Sequence, residues 1–204
     1  MVMSDMELRP VFDYSVGEID DSTWNKLNTI ISQNDIEFEE SSVSDKTNKS
    51  IRISRNSWIT SSELRDIFFD LIQYINFNQA GWNFNINNVE PIQHTIYGKG
   101  CYYDWHKDTY PISDLNTRKI SATIFLNDPD EYEGGELDIE VRGPLLQDNT
   151  PSSLDTSNKC RYDTFKMPKK SAVVFRSDLW HRVRPVTSGV RKSLVIWFIG
   201  PPFI

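Results

Sequence analysis

The sequence is poor in cysteine and contains no long apolar run. Its two cysteines, Cys101 and Cys160, lack metal-type spacing, so we expect two free thiols in a reducing compartment rather than a disulfide scaffold. No apolar stretch approaches the roughly 20 residues of a membrane-spanning helix. The first ten residues also lack the pattern of a secretory signal. These absences predict a cytoplasmic protein with no membrane partner.

Basic residues are outnumbered, with 22 Lys and Arg against 29 Asp and Glu and a net charge of −7. Nucleic-acid-binding proteins are normally basic, so the acidic net charge argues against a nucleic-acid partner. The last quarter differs, because residues 155–204 contain ten basic and three acidic side chains. This segment either has a solvated basic strand face or handles a small anion, and charge alone favours the solvated face.

The 204 residues have a globular composition, with 38% apolar and 12% aromatic residues. Apolar spacing predicts helices over 21–33 and 61–77, the second with a capping box formed by Thr60 and Glu63. From residue 91, short runs rich in β-branched and aromatic residues recur between turn-forming residues. The expected strands are 91–97, 101–106, 118–126, 135–141, 162–167, 171–176, 181–186 and 191–199.

Eight short strands without interleaved helices predict a mainly β fold, either a sandwich or a jelly-roll barrel. We therefore expect one domain over 1–204, with 1–90 as a helical N-terminal support packed on one sheet and 91–204 as the barrel core. Residues 34–57 are expected to form a loop with a short strand at 51–53. Loops at 109–117 and 144–161 would carry specificity, and the second is expected to be mobile.

The chain has only three histidines, His94, His106 and His181. In a strand, His106 and Asp108 would point the same way, and a jelly roll could bring the later strand that begins with His181 to the same mouth. Two histidines and one carboxylate on one face of a metal are typical of non-haem Fe(II) oxygenases. Taken alone, the His-x-Asp spacing favours an ordinary surface pair over a metal site. His94 is interpreted as structural.

A candidate anion-binding residue, Arg191, follows His181 by ten positions and shares a strand face with Ser193. A guanidinium binds a carboxylate through two parallel hydrogen bonds, and a neighbouring hydroxyl adds a third. Burying arginine inside a barrel is costly unless an anion pairs with it. The alternative is an outward arginine with its charged group in water.

Two further features precede these residues or lie between them. Tyr97 ends a strand nine residues before His106, so its phenol either reaches a ligand inside the barrel or is an ordinary core hydroxyl. Gly134 and Gly135 either form a plain hairpin turn or let the backbone pass close to a site.

The sequence resembles the Fe(II)- and 2-oxoglutarate-dependent dioxygenases in an ordered set of residues: Tyr97, His106-x-Asp108, Gly134-Gly135-Glu136-Leu137, His181, Arg191-x-Ser193 and Trp197. It is most similar to the prolyl 4-hydroxylase-type branch, including its small bacterial and phage-encoded members. The runs YYDWHKD, ending at Asp108, and HRVRPV, beginning at His181, strengthen the similarity. The resemblance covers about residues 90–200.

The resemblance implies a double-stranded β-helix, the jelly-roll fold of this family. It assigns the iron-binding and catalytic roles to His106, Asp108 and His181. It assigns contacts with 2-oxoglutarate to Arg191, which would pair with the distal carboxylate, and to Tyr97 and Ser193. Leu137 and Trp197 would line the pocket, and Phe125 occupies a position where some animal relatives carry a tyrosine hydroxyl.

The implied reaction hydroxylates a C–H bond with Fe(II), 2-oxoglutarate and O2, releasing succinate and CO2, with ascorbate as a possible accessory. Related halogenases lack the carboxylate, so Asp108 favours hydroxylation. The expected substrate is a prolyl residue in a peptide or protein, with a free amino acid or small metabolite as the alternative. From another class, a jelly-roll binding module without catalysis or a cupin-like protein holding another metal stays open. The sequence identifies neither the substrate nor the oligomeric state.

Overall fold

Strands dominate the computed structural model, which describes residues 12–33, 38–44, 50–109, 111–113, 116–142, 153–155 and 160–202. The helices are α1 (Asp21–Gln33) and α2 (Ser62–Tyr74), with a π-helical turn at Ile75–Gln79 and a 3-10 turn at Pro129–Glu131. The strands are β1 (Tyr14–Glu18), β2 (Glu39–Ser44), β3 (Ser50–Ile59), β4 (Asn88–Val89), β5 (Ile92–Tyr97), β6 (Tyr102–His106), β7 (Pro111–Ser113), β8 (Asn116–Phe125), β9 (Tyr132–Gly134), β10 (Leu137–Glu140), β11 (Ser153–Asp155), β12 (Cys160–Phe165), β13 (Ser171–Arg176), β14 (His181–Val183), β15 (Val186–Gly189) and β16 (Arg191–Gly200).

The sheet is antiparallel and curled into a jelly roll, in the order β1-β13-β8-β16-β5-β3-β6-β14-β10-β12-β11. Alternation along β8 and β16 separates two environments. Ile124 and Ile196 belong to a core with Leu27 and Leu64 of the helices. The residues that alternate with them along each strand face the interior of the roll. The predicted mainly β fold with helices packed on one sheet is confirmed.

Both predicted helices form, and α1 has the predicted bounds of 21–33. The predicted cap of α2 is wrong by one residue, because the hydroxyl of Ser61, not Thr60, accepts a hydrogen bond from the backbone N–H of Leu64. The α-helix ends at Tyr74, and the chain continues as the π-helical turn to Gln79.

The first 90 residues are more than a helical support, because β1, β2 and β3 all join the large sheet. The expected short strand at 51–53 is a ten-residue strand, β3, between β5 and β6. Its interior face is polar, with Arg52, Ser54 and Asn56 hydrogen-bonded to one another, while Ile53 is 44% exposed. This inversion of the usual apolar-inside pattern explains why the sequence predicts only a short strand at 51–53 within a loop.

Both predicted loops contain strands. Within 109–117 lie β7 and the start of β8, and within 144–161 lie β11 and the first residues of β12. The rest of 144–161 lies outside the described residues, so its expected mobility stays a prediction. The division into one domain with an N-terminal support and a barrel core also stays a prediction. Cys101 is a free thiol. Nowhere in the described ranges is a helix both long and apolar enough to cross a membrane.

Candidate functional site

Three side chains converge where β6 and β14 lie side by side. His106 and His181 are cross-strand partners, and Nε2 of His181 lies 3.4 Å from Oδ2 of Asp108. Nε2 of His106 lies 3.7 Å from Oδ1 of the same carboxylate. The potential ligand atoms of the three residues all lie within 4.8 Å of one another. This is the arrangement expected from the sequence, and its occupation by a metal stays a prediction.

The reason for this convergence differs from the one inferred from the sequence. His106 is the last residue of β6, and Asp108 lies beyond the strand, so the two do not share a strand face. Instead, the backbone N–H of Asp108 donates to the carbonyl of Ser177, the residue after β13. A register shift between β6 and β14 also places Tyr103 and His106 on one face, where their rings stack at 3.4 Å.

Both imidazoles are oriented by the backbone. Nδ1 of His106 lies 2.8 Å from the carbonyl oxygen of Asp104, and Nδ1 of His181 lies 3.0 Å from that of Leu179. An Nδ1–H that donates to a carbonyl leaves the Nε2 lone pair directed toward Asp108, as a metal ligand requires. Burial, followed by the nearby His181, lowers the pKa of His106 to about 3, so this ring is neutral at physiological pH.

The Asp108 carboxylate is held by two side-chain donors. Its Oδ2 accepts hydrogen bonds from Oγ of Ser121 at 2.7 Å and from Nε1 of Trp197 at 2.8 Å. The hydroxyl of Ser121 also lies 2.9 Å from that of Ser177. Burial opposes ionisation, but His181 and the Trp197 N–H outweigh it and keep the pKa of Asp108 well below its usual range. Trp197, predicted to line the pocket, is therefore also a donor to this carboxylate.

Arg191 is buried at the other end of the inner face of β16. It is 1% exposed, which excludes the alternative of an outward arginine in water. Its Nη1 donates to Oγ of Ser193 at 2.8 Å, while Nε and Nη2 have no hydrogen-bond partner among the described residues. The rings of Tyr97 and Phe125 lie 5.4 and 5.3 Å from its central carbon. Burial lowers the pKa of Arg191 and raises that of Tyr97.

Sequence reasoning missed Tyr132, whose buried hydroxyl also has no hydrogen-bond partner in the part of the chain that the structure describes. This phenol is close enough to oppose the lowering of the Arg191 pKa by burial, but the two groups do not meet the geometry of a hydrogen bond. The unpartnered atoms of the two residues are all donors that a carboxylate can satisfy. The residues present therefore fit a ligand with a carboxylate at this end, and a divalent metal at the His–Asp–His end.

Gly134 and Gly135 belong to the site, as one of the two sequence interpretations had it. Both have positive φ, at +70° and +66°. A Cβ at Gly134 would lie 2.2 Å from the carbonyl oxygen of Pro185, and one at Gly135 would lie 3.1 Å from Cδ of Arg191. Gly134 therefore lets the β9–β10 connection pass against the backbone of Pro185, and Gly135 lets it pass against the buried arginine.

We expect Gly135→Ala to destabilise the protein by about 1–3 kcal/mol, because the methyl group meets Arg191 and the backbone is left-handed there. Urea denaturation of the metal-free protein measures this. Gly17→Ala is the matched control, since a Cβ at Gly17 meets nothing within 4 Å. Equal midpoints for the two variants would contradict the assigned close approach.

His94 does not join the site. It lies on the opposite face of β5 from Thr95, against the ring of Phe38 at 4.9 Å, and neither ring nitrogen has a hydrogen-bond partner within the described ranges. Burial and then Lys192 lower its pKa to about 4. A buried neutral histidine without partners is a structural residue, in agreement with its interpretation from the sequence.

The burial of His94 predicts that the folded protein loses stability as the pH falls. The pKa of His94 is about 4 when folded and near 6.5 when unfolded, so unfolding takes up a proton between these values. Its contribution to stability is complete above pH 6.5 and is lost as pH falls toward 4. We expect the free energy of unfolding to fall more steeply in the wild type than in His94→Leu, by up to about 1.4 kcal/mol per pH unit. Parallel urea-denaturation profiles from pH 7 to 4.5 would refute this.

Comparisons with known proteins agree with this geometry. The family model described as the 2OG-Fe(II) oxygenase superfamily matches residues 92–199. A PKHD-type hydroxylase of Thermosynechococcus vestitus is 36% identical over 112 residues, covering 53% of this chain and 42% of that protein. Another, of Aliarcobacter butzleri, is 33% identical over 111 residues, covering 50% and 39%. The chain thus matches about two fifths of the length of these curated relatives.

Solved structures share the fold over nearly the whole chain. A prolyl-4-hydroxylase of Pseudomonas putida has a TM-score of 0.63 at 18% identity, covering 94% of each chain. A prolyl hydroxylase of Trichoplax adhaerens, solved with a hypoxia inducible factor peptide fragment, has a TM-score of 0.59 at 17% identity, covering 92% of this chain and 84% of that one. The family match covers more than half of the chain and contains all three converging side chains and Arg191. The chain belongs to the 2OG-Fe(II) oxygenase superfamily.

Proposed function

We propose that this chain is an Fe(II)- and 2-oxoglutarate-dependent dioxygenase that hydroxylates a prolyl residue in a peptide or protein. One observation carries the proposal: two oriented imidazoles and a carboxylate converge in the same roll as a buried arginine with unpartnered donors. A binding module without catalysis would have no need for both features. Burying an unpaired guanidinium is costly unless a ligand compensates it.

Iron would be held by Nε2 of His106, Nε2 of His181 and the carboxylate of Asp108, a set that leaves coordination positions open. The low pKa values of His106 and Asp108 mean that both already have the protonation state of a ligand at neutral pH. Bound iron supplies the activation of O2, coupled to decarboxylation of 2-oxoglutarate to succinate and CO2. The proposal also includes ascorbate as an accessory to this reaction.

The distal carboxylate of 2-oxoglutarate would pair with Nε and Nη2 of Arg191. Ser193 accepts from Nη1 and so holds the guanidinium in place, and its own contact with the cosubstrate belongs to the same proposal. The hydroxyl of Tyr132 supplies a further donor beside it, and Tyr97 covers the guanidinium from β5. Because these residues are almost fully buried, the ion pair would form with little competition from water.

A prolyl substrate is supported by the relatives' names and by an exposed indole near the site. Trp58 is 54% exposed and lies 6.2 Å from Trp197, whose N–H contacts Asp108. Proline-rich segments commonly dock on aromatic side chains. The Trichoplax protein was solved with a peptide fragment, which favours a peptide or protein over a free amino acid or metabolite. The free thiol of Cys101 is compatible with a cytoplasmic location.

The test supplies anaerobically purified protein with Fe(II), 2-oxoglutarate and O2, and measures succinate. Succinate that requires all three establishes the reaction class, whereas none from metal-loaded protein overturns it. Paired peptides with proline or alanine at one position, analysed by mass spectrometry, then test the substrate. A gain of one oxygen on the prolyl peptide alone supports the proposal. A gain on alanine peptides or on free amino acids instead would refute the prolyl assignment.

A further inference from the structure

A largely buried ion pair lies beside the candidate metal centre without belonging to it. Nε and Nη2 of Arg118 donate to Oε1 and Oε2 of Glu90 at 2.7 and 2.6 Å, in a bidentate arrangement. Arg118 is 7% exposed, and its strand, β8, also carries Ser121. Such a pair is costly to desolvate, and a hydrophobic replacement is often as stable. Stability alone is therefore a weak explanation for it.

The ion pair connects to Asp108 through one indole. The guanidinium carbon of Arg118 lies 3.8 Å from the ring centroid of Trp197, and Nε1 of that ring donates to Oδ2 of Asp108. The backbone N–H of Glu90 donates to the carbonyl of Trp197 at 3.0 Å. Glu90 thus fixes both the backbone of Trp197 and the cation that covers its ring. These contacts link Glu90, Arg118 and Trp197 to one another, and the Trp197 N–H connects them to the Asp108 carboxylate.

We propose that Glu90 and Arg118 are positioning residues that set the metal affinity of the site by holding Trp197 against Asp108. The inference rests on the proposed metal-binding role of Asp108. Rotation of the indole away from Arg118 would break its hydrogen bond to Oδ2 and free the carboxylate to turn. A flat guanidinium can cover the ring and grip Glu90 at the same time, which the ammonium group of lysine cannot do.

Anaerobic titration of the metal-free protein with Co(II), followed by visible absorption, tests the inference without relying on activity. We expect Arg118→Lys and Trp197→Phe each to weaken binding by about tenfold, in the range known for partners of metal ligands. Because Arg118 acts through the indole N–H, the double variant should bind no more weakly than the weaker single variant. Independent, multiplying losses would overturn the proposed chain of contacts.

Arg184→Lys is the matched control, since Nε of Arg184 also donates to a buried carboxylate, Asp138. Asp138 belongs to β10 and Arg184 follows β14, and in the described part of the sheet neither strand pairs with β16, which carries Trp197. This variant should keep the wild-type Co(II) affinity. If Arg118→Lys does not fold, Glu90→Gln tests the same pair by removing only its charge. Unchanged affinity in both Glu90→Gln and Trp197→Phe overturns the inference but leaves the proposed function intact. Failure of the wild type to bind Co(II) at all would instead overturn the metal site itself.

Discussion

Asp108→Asn is expected to weaken Fe(II) or Mn(II) binding by more than about 100-fold, beyond the loss typical of residues that only support a ligand. The substitution removes the negative charge of the metal ligand. It also replaces one acceptor oxygen of the carboxylate with an NH2 group. Trp197 and Ser121 both donate to Oδ2, so the amide oxygen would take that position. The NH2 group would then replace Oδ1, which lies 3.7 Å from Nε2 of His106, and would oppose a cation there. Turnover of 2-oxoglutarate should be lost.

Calorimetric titration of the metal-free variant under anaerobic conditions measures the affinity directly, and succinate formation measures the activity. Asp104→Asn is the control, because the Asp104 side chain accepts from the backbone N–H of Trp105, whereas His106 is oriented by the backbone carbonyl of Asp104. Asp104→Asn should bind metal as the wild type does. If Asp108→Asn also retains wild-type affinity, the three converging side chains are not the metal site.

The sequence predicts those elements whose pattern is local. Ile120, Ala122 and Ile124 alternate with more polar neighbours, and they pack toward the helices as such a strand should. The bounds of α1 follow from its apolar spacing, whereas its cap is known only from the structure, where the Asp20 carboxylate accepts from the N–H of Thr23. The sequence predicts only residues 51–53 of β3, because Arg52, Ser54 and Asn56 make the interior face of this strand polar. Periodicity shows which residues share a face, but not whether that face encloses a polar site.

The same limit applies to the candidate site. His106, Asp108, His181 and Arg191 stand out because few residue types can bind metals or buried anions. The residues that orient them depend on strand register, which no local pattern fixes. Trp197 reaches Asp108 only because β16 pairs with β8 so that Trp197 lies opposite Ser121. For such residues the sequence gives the type of side chain, but the contact requires the folded sheet.

Arg191→Met is expected to have opposite effects on stability and on cosubstrate binding. In the metal-free protein, Nε and Nη2 are buried without hydrogen-bond partners among the described residues, so the guanidinium costs free energy that it does not recover. A methionine of similar length removes that cost, and the melting temperature should rise or stay unchanged. The affinity for 2-oxoglutarate should fall by about 100-fold, since removing one partner of a buried ion pair costs about 3 kcal/mol.

Thermal melting of the metal-free protein measures the first effect. Melting of the Mn(II)-loaded protein with and without 2-oxoglutarate measures the second, because a ligand that binds only the folded state raises the melting temperature. Lys192→Met is the matched control. It removes the same charge from the next residue of β16, whose side chain is exposed. Lys192→Met should keep the full stabilisation by 2-oxoglutarate, whereas Arg191→Met should lose it. A variant that melts higher and still binds 2-oxoglutarate normally would mean that the buried guanidinium serves some purpose other than pairing with this dicarboxylate.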